Sequence, residues 1–292
     1  MMTLKRFKIV VILVAALVVT VAVVGCSGSK SEDKAATDGT ENAGQTGGQI
    51  KGTVKVAGSS SVQPLAEELA EAFMEKNQDV TVSVQGGGSS AGIESANKGT
   101  AQIGTSSREL KPEEKGYGLK ETVIAKDGIA VIVNSGNKVT ALTKEQIKKI
   151  FAGEVKDWSE VGDLKGPITV VVREEGSGTR DAFQEIVLSK EVKFISNAVV
   201  QNSTGAIKTA VTKDINAIGF ISSGSVDSAV KALSVDGVLP SEATVLNGSY
   251  KISRPFLFLT KSEPDAAAKA FIDYVLSEEG QKIVSEKFVK VK

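Results

Sequence analysis

VVVREEGSGTRDAF, residues 170–183, joins an apolar run to a helix start through a short loop of small residues. Ile168 to Val172 is β-branched throughout and reads as a buried strand that stops at Arg173. Gly176-Ser177-Gly178-Thr179 then leads into a helix predicted from about Arg180 to Leu188. The first N–H groups of a helix have no intrahelical acceptor, and the macrodipole adds partial positive charge there. Gly176 and Gly178 let an anion approach the backbone, Ser177 and Thr179 add hydroxyl donors, and Arg173 adds a planar cationic fork. Taken alone, the stretch is either an ordinary strand–turn–helix connection or a seat for a compact, multiply charged oxyanion.

The same construction occurs twice more. Thr53 to Val56 alternates as a strand, Ala57-Gly58-Ser59-Ser60-Ser61 follows as a polar loop, and Pro64 opens a helix. In that helix Leu65, Leu69, Ala72 and Phe73 share one face, and Glu67, Glu68, Glu71 and Glu75 take the wet side. Val80 to Val84 is a second strand; a loop from Gln85 to Gly92, rich in glycine and serine, and a short helix follow it. Gly88-Ser89-Ser90-Ala91-Gly92 also spells G-x-S-x-G, the nucleophile elbow of serine hydrolases. An elbow serine needs a base, and the chain contains no histidine. Ser95 and Lys98 do form S-x-x-K, a pattern short enough to arise by chance. Gly92 is followed by Ile93 rather than lysine, so the glycines do not make a phosphate-binding P-loop.

The 35 Lys and Arg residues balance the 35 Asp and Glu residues, which argues against a nucleic-acid footprint. The absence of histidine makes an ordinary zinc site unexpected, and no metal, cofactor or catalytic residue is predicted. Residues 1–25 read as a signal peptide: Lys5, Arg6 and Lys8 precede an apolar run from Ile9 to Val24. The run stops at Val23-Val24-Gly25-Cys26, which resembles a bacterial lipobox, with Cys26 as the lipidated first residue of the mature chain. A plain transmembrane anchor is the alternative, since the run is close to the minimum spanning length. Cys26 is the only cysteine in the chain, which favours lipidation. Residues 26–50 are small and polar and read as a flexible tether.

From residue 51 onward, strands alternate with helices. The fold class is therefore α/β, with mainly parallel sheets covered by helices on both faces and ligand loops at the carboxyl ends of the strands. Thr143 and Gln146 form a capping box, and Trp158 reads as a packing residue. Ser203-Thr204-Gly205 precedes another apolar helix face, and Lys251 to Thr260 reads as an extended return.

AGSSSVQPL (57–65), VQGGGSSAGI (84–93), IGTSSREL (103–110), LTKEQIKKIFAGEVKDW (142–158), VVREEGSGTRDAF (171–183), AIGFIS (217–222) and FIDYVLSEEGQKIV (271–284) together resemble the PstS family, the periplasmic-type phosphate-binding receptors of ABC transporters. The resemblance covers residues 52–290 and implies a two-lobe periplasmic-binding-protein fold with two crossing segments. Lobe I is expected at 51–133 and 230–292 and lobe II at 134–229, with hinge crossings near Asn134 and in the return segment. It further implies phosphate held by Ser60, Ser61, Ser89, Arg173, Ser177, Gly178 and Thr179, with Glu175 as the acid that pairs with the arginine. Ser107, followed by Arg108, stands where well-known members carry an aspartate that accepts the proton of hydrogen phosphate; some branches carry this Ser-Arg pair. The implied partners are inorganic phosphate, ABC permease subunits and, through the lipid, the outer face of the cell membrane; the protein is expected to be monomeric. A receptor for a sulfate-like oxyanion and a phosphate sensor are the near alternatives. A serine hydrolase or phosphatase, which would need a base or metal beside Ser90, is the remote one.

Overall fold

The structure, a computed structural model, describes residues 50–162, 164–261 and 263–291. Cys26 and the stretches read as a signal peptide and tether, up to residue 49, lie outside the described residues. The first lobe alternates β1 (Gly52–Gly58), α1 (Gln63–Lys76), β2 (Val80–Gly86), α2 (Ser89–Lys98), β3 (Ile103–Ser106) and α3 (Pro112–Lys115), with β1 parallel to both β2 and β3. Next comes β4 (Lys120–Asn134), then β5 (Ala141–Leu142), α4 (Lys144–Ala152), β6 (Thr169–Arg173), α5 (Gly178–Phe183), β7 (Val199–Gln201), α6 (Thr204–Lys213) and β8 (Ala217–Ser222). The chain continues through β9 (Val230–Ala232), β10 (Ser234–Val235) and α7 (Glu242–Leu246) and returns along β11 (Ser253–Thr260) to α8 (Ala266–Val275) and α9 (Glu278–Val284).

The strands follow the order β2-β1-β3-β11-β4-β8-β6-β7, with β9 beside β4. Outer pairs are parallel, as helix crossovers require, and the strands between the two halves pair antiparallel. Two cores form. Val54, Val56, Leu65, Leu69 and Phe73 pack with Phe258, Phe271 and Val275 in one. Val131, Val133, Ile150, Phe151, Trp158, Val172, Phe183 and Phe220 make the other. Trp158 is buried there and its Nε1 donates to the Asn216 carbonyl at 3.0 Å. The Thr143–Gln146 capping box closes at 3.1 and 2.8 Å. The helix expected from Arg180 starts earlier, at Gly178, and its last turn, Gln184–Leu188, is wound as a π-helix.

The crossings differ from those read in the sequence. Lys120 to Lys126 of β4 pairs with β11, whereas Ile129 to Val133 of the same strand pairs with β8. The chain therefore changes lobe at Asp127-Gly128, not near Asn134. Residues 230–252 also belong with the second lobe: β9 pairs with the end of β4, and Leu233, Val235, Val245, Tyr250 and Ile252 lie in the second core. On strand pairing, lobe II runs from about Gly128 to Ile252 and the boundary at 229/230 falls inside it. The crossing is hidden because β4 continues as one strand through it, while the polar turn at Asn134 to Asn137 marks only the end of that strand.

Asp127 and Arg254 sit side by side at the two crossings. Asp127 Oδ2 accepts from Arg254 Nη2 at 3.0 Å and Nε at 3.2 Å, while Oδ1 accepts from Ser222 at 2.9 Å and Ser223 at 3.3 Å. Both side chains are almost fully buried. Burial pushes the Asp127 carboxyl above its usual range, opposed by the Arg254 charge and the serine hydroxyls. Removing one member of such a pair leaves an uncompensated buried charge. Asp127→Asn is expected to lower stability by about 3–5 kcal/mol, read as a shifted urea midpoint at constant m-value; a loss below about 1 kcal/mol would show the pair to be no stronger than an exposed one.

Candidate functional site

Five strand ends aim short polar loops at the space between the lobes. After β1, Ser59, Ser60 and Ser61 are buried ahead of α1. After β2, Gly88 takes φ 92°, a left-handed turn that favours glycine, and Ser89 is the first residue of α2. After β3 come Ser106 and Ser107, both fully buried. From the second lobe, Ser177 caps α5, its Oγ accepting from the Arg180 N–H at 3.3 Å, and Gly178 and Thr179 open the helix. Thr204 opens α6 in the same way, one residue after its cap Ser203.

These loops meet. Ser61 Oγ lies 2.8 Å from Thr179 Oγ1 and 3.0 Å from Thr204 Oγ1 across the cleft. The Thr204 N–H donates to Ser60 Oγ at 3.3 Å, and the Ser90 N–H donates to the Gly176 carbonyl at 3.0 Å. Within the first lobe Ser59 Oγ donates to Ser107 Oγ at 2.9 Å, and the Ser107 N–H donates to Ser89 Oγ at 3.0 Å. Gly178 faces Ser89 and Ser107 so closely that an added Cβ would overlap both hydroxyls. The lobes are closed upon one another.

Arg173 is the cation of this cluster and is 2% exposed. Its Nε and Nη2 form a bidentate pair with Glu174, both bonds 2.8 Å, and its Nη1 lies 3.5 Å from Thr204 Oγ1. The acid expected to hold it was Glu175; that residue is exposed, and Glu174 takes the role. Ser60, Ser61, Ser89, Ser107, Arg173, Ser177, Gly178 and Thr179 are thus brought together, buried, where the lobes meet. Ser59 and Thr204 join them without having been assigned there. Ser203-Thr204-Gly205 carries the same signal as the other loops, but the strand before it has only three residues and exposes Val199 and Val200.

Hydroxyls and backbone N–H groups supplied by four helix starts suit a small oxyanion with oxygens pointing in several directions. Acyl transfer at Ser90 would need a base beside it. Ser90, the elbow serine, accepts from Arg108 Nη2 at 3.1 Å, and a guanidinium cannot take its proton. Arg108 in turn holds Glu114 through bonds of 2.6 and 2.8 Å. Burial alone would lower its pKa, but the Glu114 and Asp181 carboxylates outweigh burial and hold it above the usual value.

Two α/β lobes, a pair of crossing strands and a hydroxyl-lined cleft at the strand ends define a periplasmic-type binding protein. The PBP superfamily domain matches residues 43–279. The phosphate-binding protein PstS of Bacillus subtilis is 35% identical over 285 residues, spanning 96% of this chain and 92% of that protein. PstS of Borreliella burgdorferi is 31% identical over 246 residues, spanning 80% and 88%. A substrate-binding protein from Clostridium perfringens, solved with bound phosphate, superposes with a TM-score of 0.81 at 49% identity, over 82% of this chain and 100% of its own. An ABC-type phosphate transport receptor from Vibrio cholerae gives 0.66 at 37% identity, over 80% and 97%. The chain belongs to the PstS family within the PBP superfamily.

Gly178 separates closure from folding. Its backbone is already helical and the three atoms nearest an added Cβ all lie across the cleft, so the methyl obstructs the closed form. Gly178→Ala is expected to hold the lobes apart, seen as a larger radius of gyration by X-ray scattering at saturating oxyanion, with no loss of melting temperature in the free protein.

Proposed function

We propose that this chain is a lipid-anchored, extracytoplasmic receptor that encloses inorganic phosphate in the interlobe cleft and delivers it to the transmembrane subunits of an ABC importer. Ser60, Ser61, Ser89, Ser107, Arg173, Ser177, Gly178 and Thr179 are the ligands, with Thr204 added to them. The observation that carries this reading is the convergence of buried hydroxyls and helix starts on Arg173. It is supported by relatives named as phosphate-binding proteins and by a bound phosphate in a structure 49% identical. The protein works as a monomer and without catalysis: its output is the closed two-lobe shape that a permease can read.

Each phosphate oxygen replaces water with fixed donors, and bonds to a charged acceptor are about twice as strong as neutral ones. Ser107 is the point of departure from receptors with an aspartate. A carboxylate would accept the proton of hydrogen phosphate and repel sulfate, which has none; a hydroxyl can rotate to accept or to donate. Phosphate therefore stays preferred, but by a smaller margin than a carboxylate would give. Calorimetric titration with phosphate and with sulfate tests the reading directly, and equal or tighter binding of sulfate would overturn it. Arg173→Ala is expected to weaken phosphate binding by at least about 2 kcal/mol, because it removes a charge-assisted fork and strands Glu174; unchanged affinity would take Arg173 out of the site. Cys26→Ser is expected to release the protein from the membrane or leave the signal peptide uncleaved, since no other cysteine can carry the lipid. Mass spectrometry showing an unmodified Cys26 in the mature chain would rule out the anchor.

A further inference from the structure

Arg108 stands next to a proposed ligand yet is fully engaged elsewhere. Its Nη1 and Nη2 hold Glu114, Nη1 also donates to the Glu109 carbonyl at 2.9 Å, and Nη2 donates to Ser90. One nitrogen remains. Nε lies 2.9 Å from Asp181 Oδ2, and Lys111 Nζ lies 3.0 Å from the same oxygen. The Arg108 N–H is not aligned on that oxygen, so the contact is an ion pair rather than a linear hydrogen bond.

Arg108, Lys111 and Glu114 belong to the first lobe; Asp181 lies on α5 of the second. Asp181 sits in the first turn of that helix, two residues beyond Thr179, and its N–H donates to the Ser177 carbonyl at 3.0 Å. The other contacts named between the lobes join hydroxyl or backbone groups. This one joins full charges in the lining of a groove of about 630 Å³, to which Glu185 also contributes. Arg108 and Glu114 are paired within one lobe, so the pair does not itself depend on the second lobe.

We propose that Arg108 and Lys111 with Asp181 form an electrostatic clasp that holds the lobes shut over the bound oxyanion. Arg108 is a positioning residue, oriented by Glu114, and touches no ligand. The clasp exists only in the closed form, so it lengthens the residence of the ligand without adding to the stability of the open protein. Its removal enters the apparent affinity through the population of the closed state. The inference rests on the phosphate reading.

The test compares Asp181→Asn and Asp181→Glu with the wild type, using phosphate as the probe. Asp181→Asn is expected to weaken binding about tenfold, mainly as faster dissociation, as for other charge pairs lost from an interface. Asp181→Glu keeps the charge and should stay within about threefold of wild type. The melting temperature of the phosphate-free protein should be the same in all three. Wild-type binding with an unchanged dissociation rate in Asp181→Asn overturns the clasp alone. So does a fall in the phosphate-free melting temperature that accounts for the weaker binding. A wild type that retains no phosphate overturns the phosphate reading and the clasp with it.

Discussion

The relation between the lobes depends on the buried pair of Asp127 and Arg254. It ties the two crossing strands to each other and, through Ser222 and Ser223, to the end of a strand that belongs wholly to the second lobe. Bending at a crossing would ordinarily expose unpaired backbone. Here the side-chain network holds β4 against β11 at the point where β4 leaves its partner for β8. The lobes can then turn as bodies while the floor of the cleft stays in register, which is the requirement for hinge closure over a ligand.

Above that floor, the loops after β1, β2 and β6 share one plan: a strand ends, a short turn containing small residues follows, and a helix begins with a hydroxyl at or beside its cap. Helix starts provide donors that need no side-chain ordering, and their partial charges favour an anion without introducing a titrating group. The glycines make the contact possible rather than decorating it. Gly88 supplies a left-handed turn and Gly178 supplies the missing methyl that lets Ser89 and Ser107 reach the opposite helix.

Much of this was legible in the sequence because it is local. Hydroxyl, glycine and helix start follow one another within a few residues, so the loops around Ser60, Ser89 and Ser177 announce themselves without tertiary information. Thr204 escaped because the strand before it is short and half exposed, so the periodic signal that marks a strand is missing. The lobe boundary escaped because β4 runs unbroken through the crossing, and the one mark of it, Lys126-Asp127 ahead of the apolar run, reads as an ordinary polar step within or before a strand. Glu174 and Glu175 are chemically equivalent and adjacent. Which of them folds back on Arg173 is decided by side-chain direction after the strand end, and residue type does not carry that.

The pairing of charges within each lobe explains why closure is affordable at all. Arg173 is matched by Glu174 in its own lobe, and Arg108 by Glu114 in its own. Neither cation has to be stripped of water and left bare when the lobes meet, which would cost several kcal/mol for an unpaired ion. What comes together is mostly hydroxyl against hydroxyl, where either oxygen can donate and the network can rearrange around an incoming anion. A bound anion would bring its charge up to these hydroxyls and helix starts. Its attraction to the surrounding dipoles would act among buried groups, where each such interaction is stronger than in solution. Selection for a charged ligand follows from that arrangement: a neutral molecule of the same size would meet the same desolvated hydroxyls without the charge that makes their bonds strong.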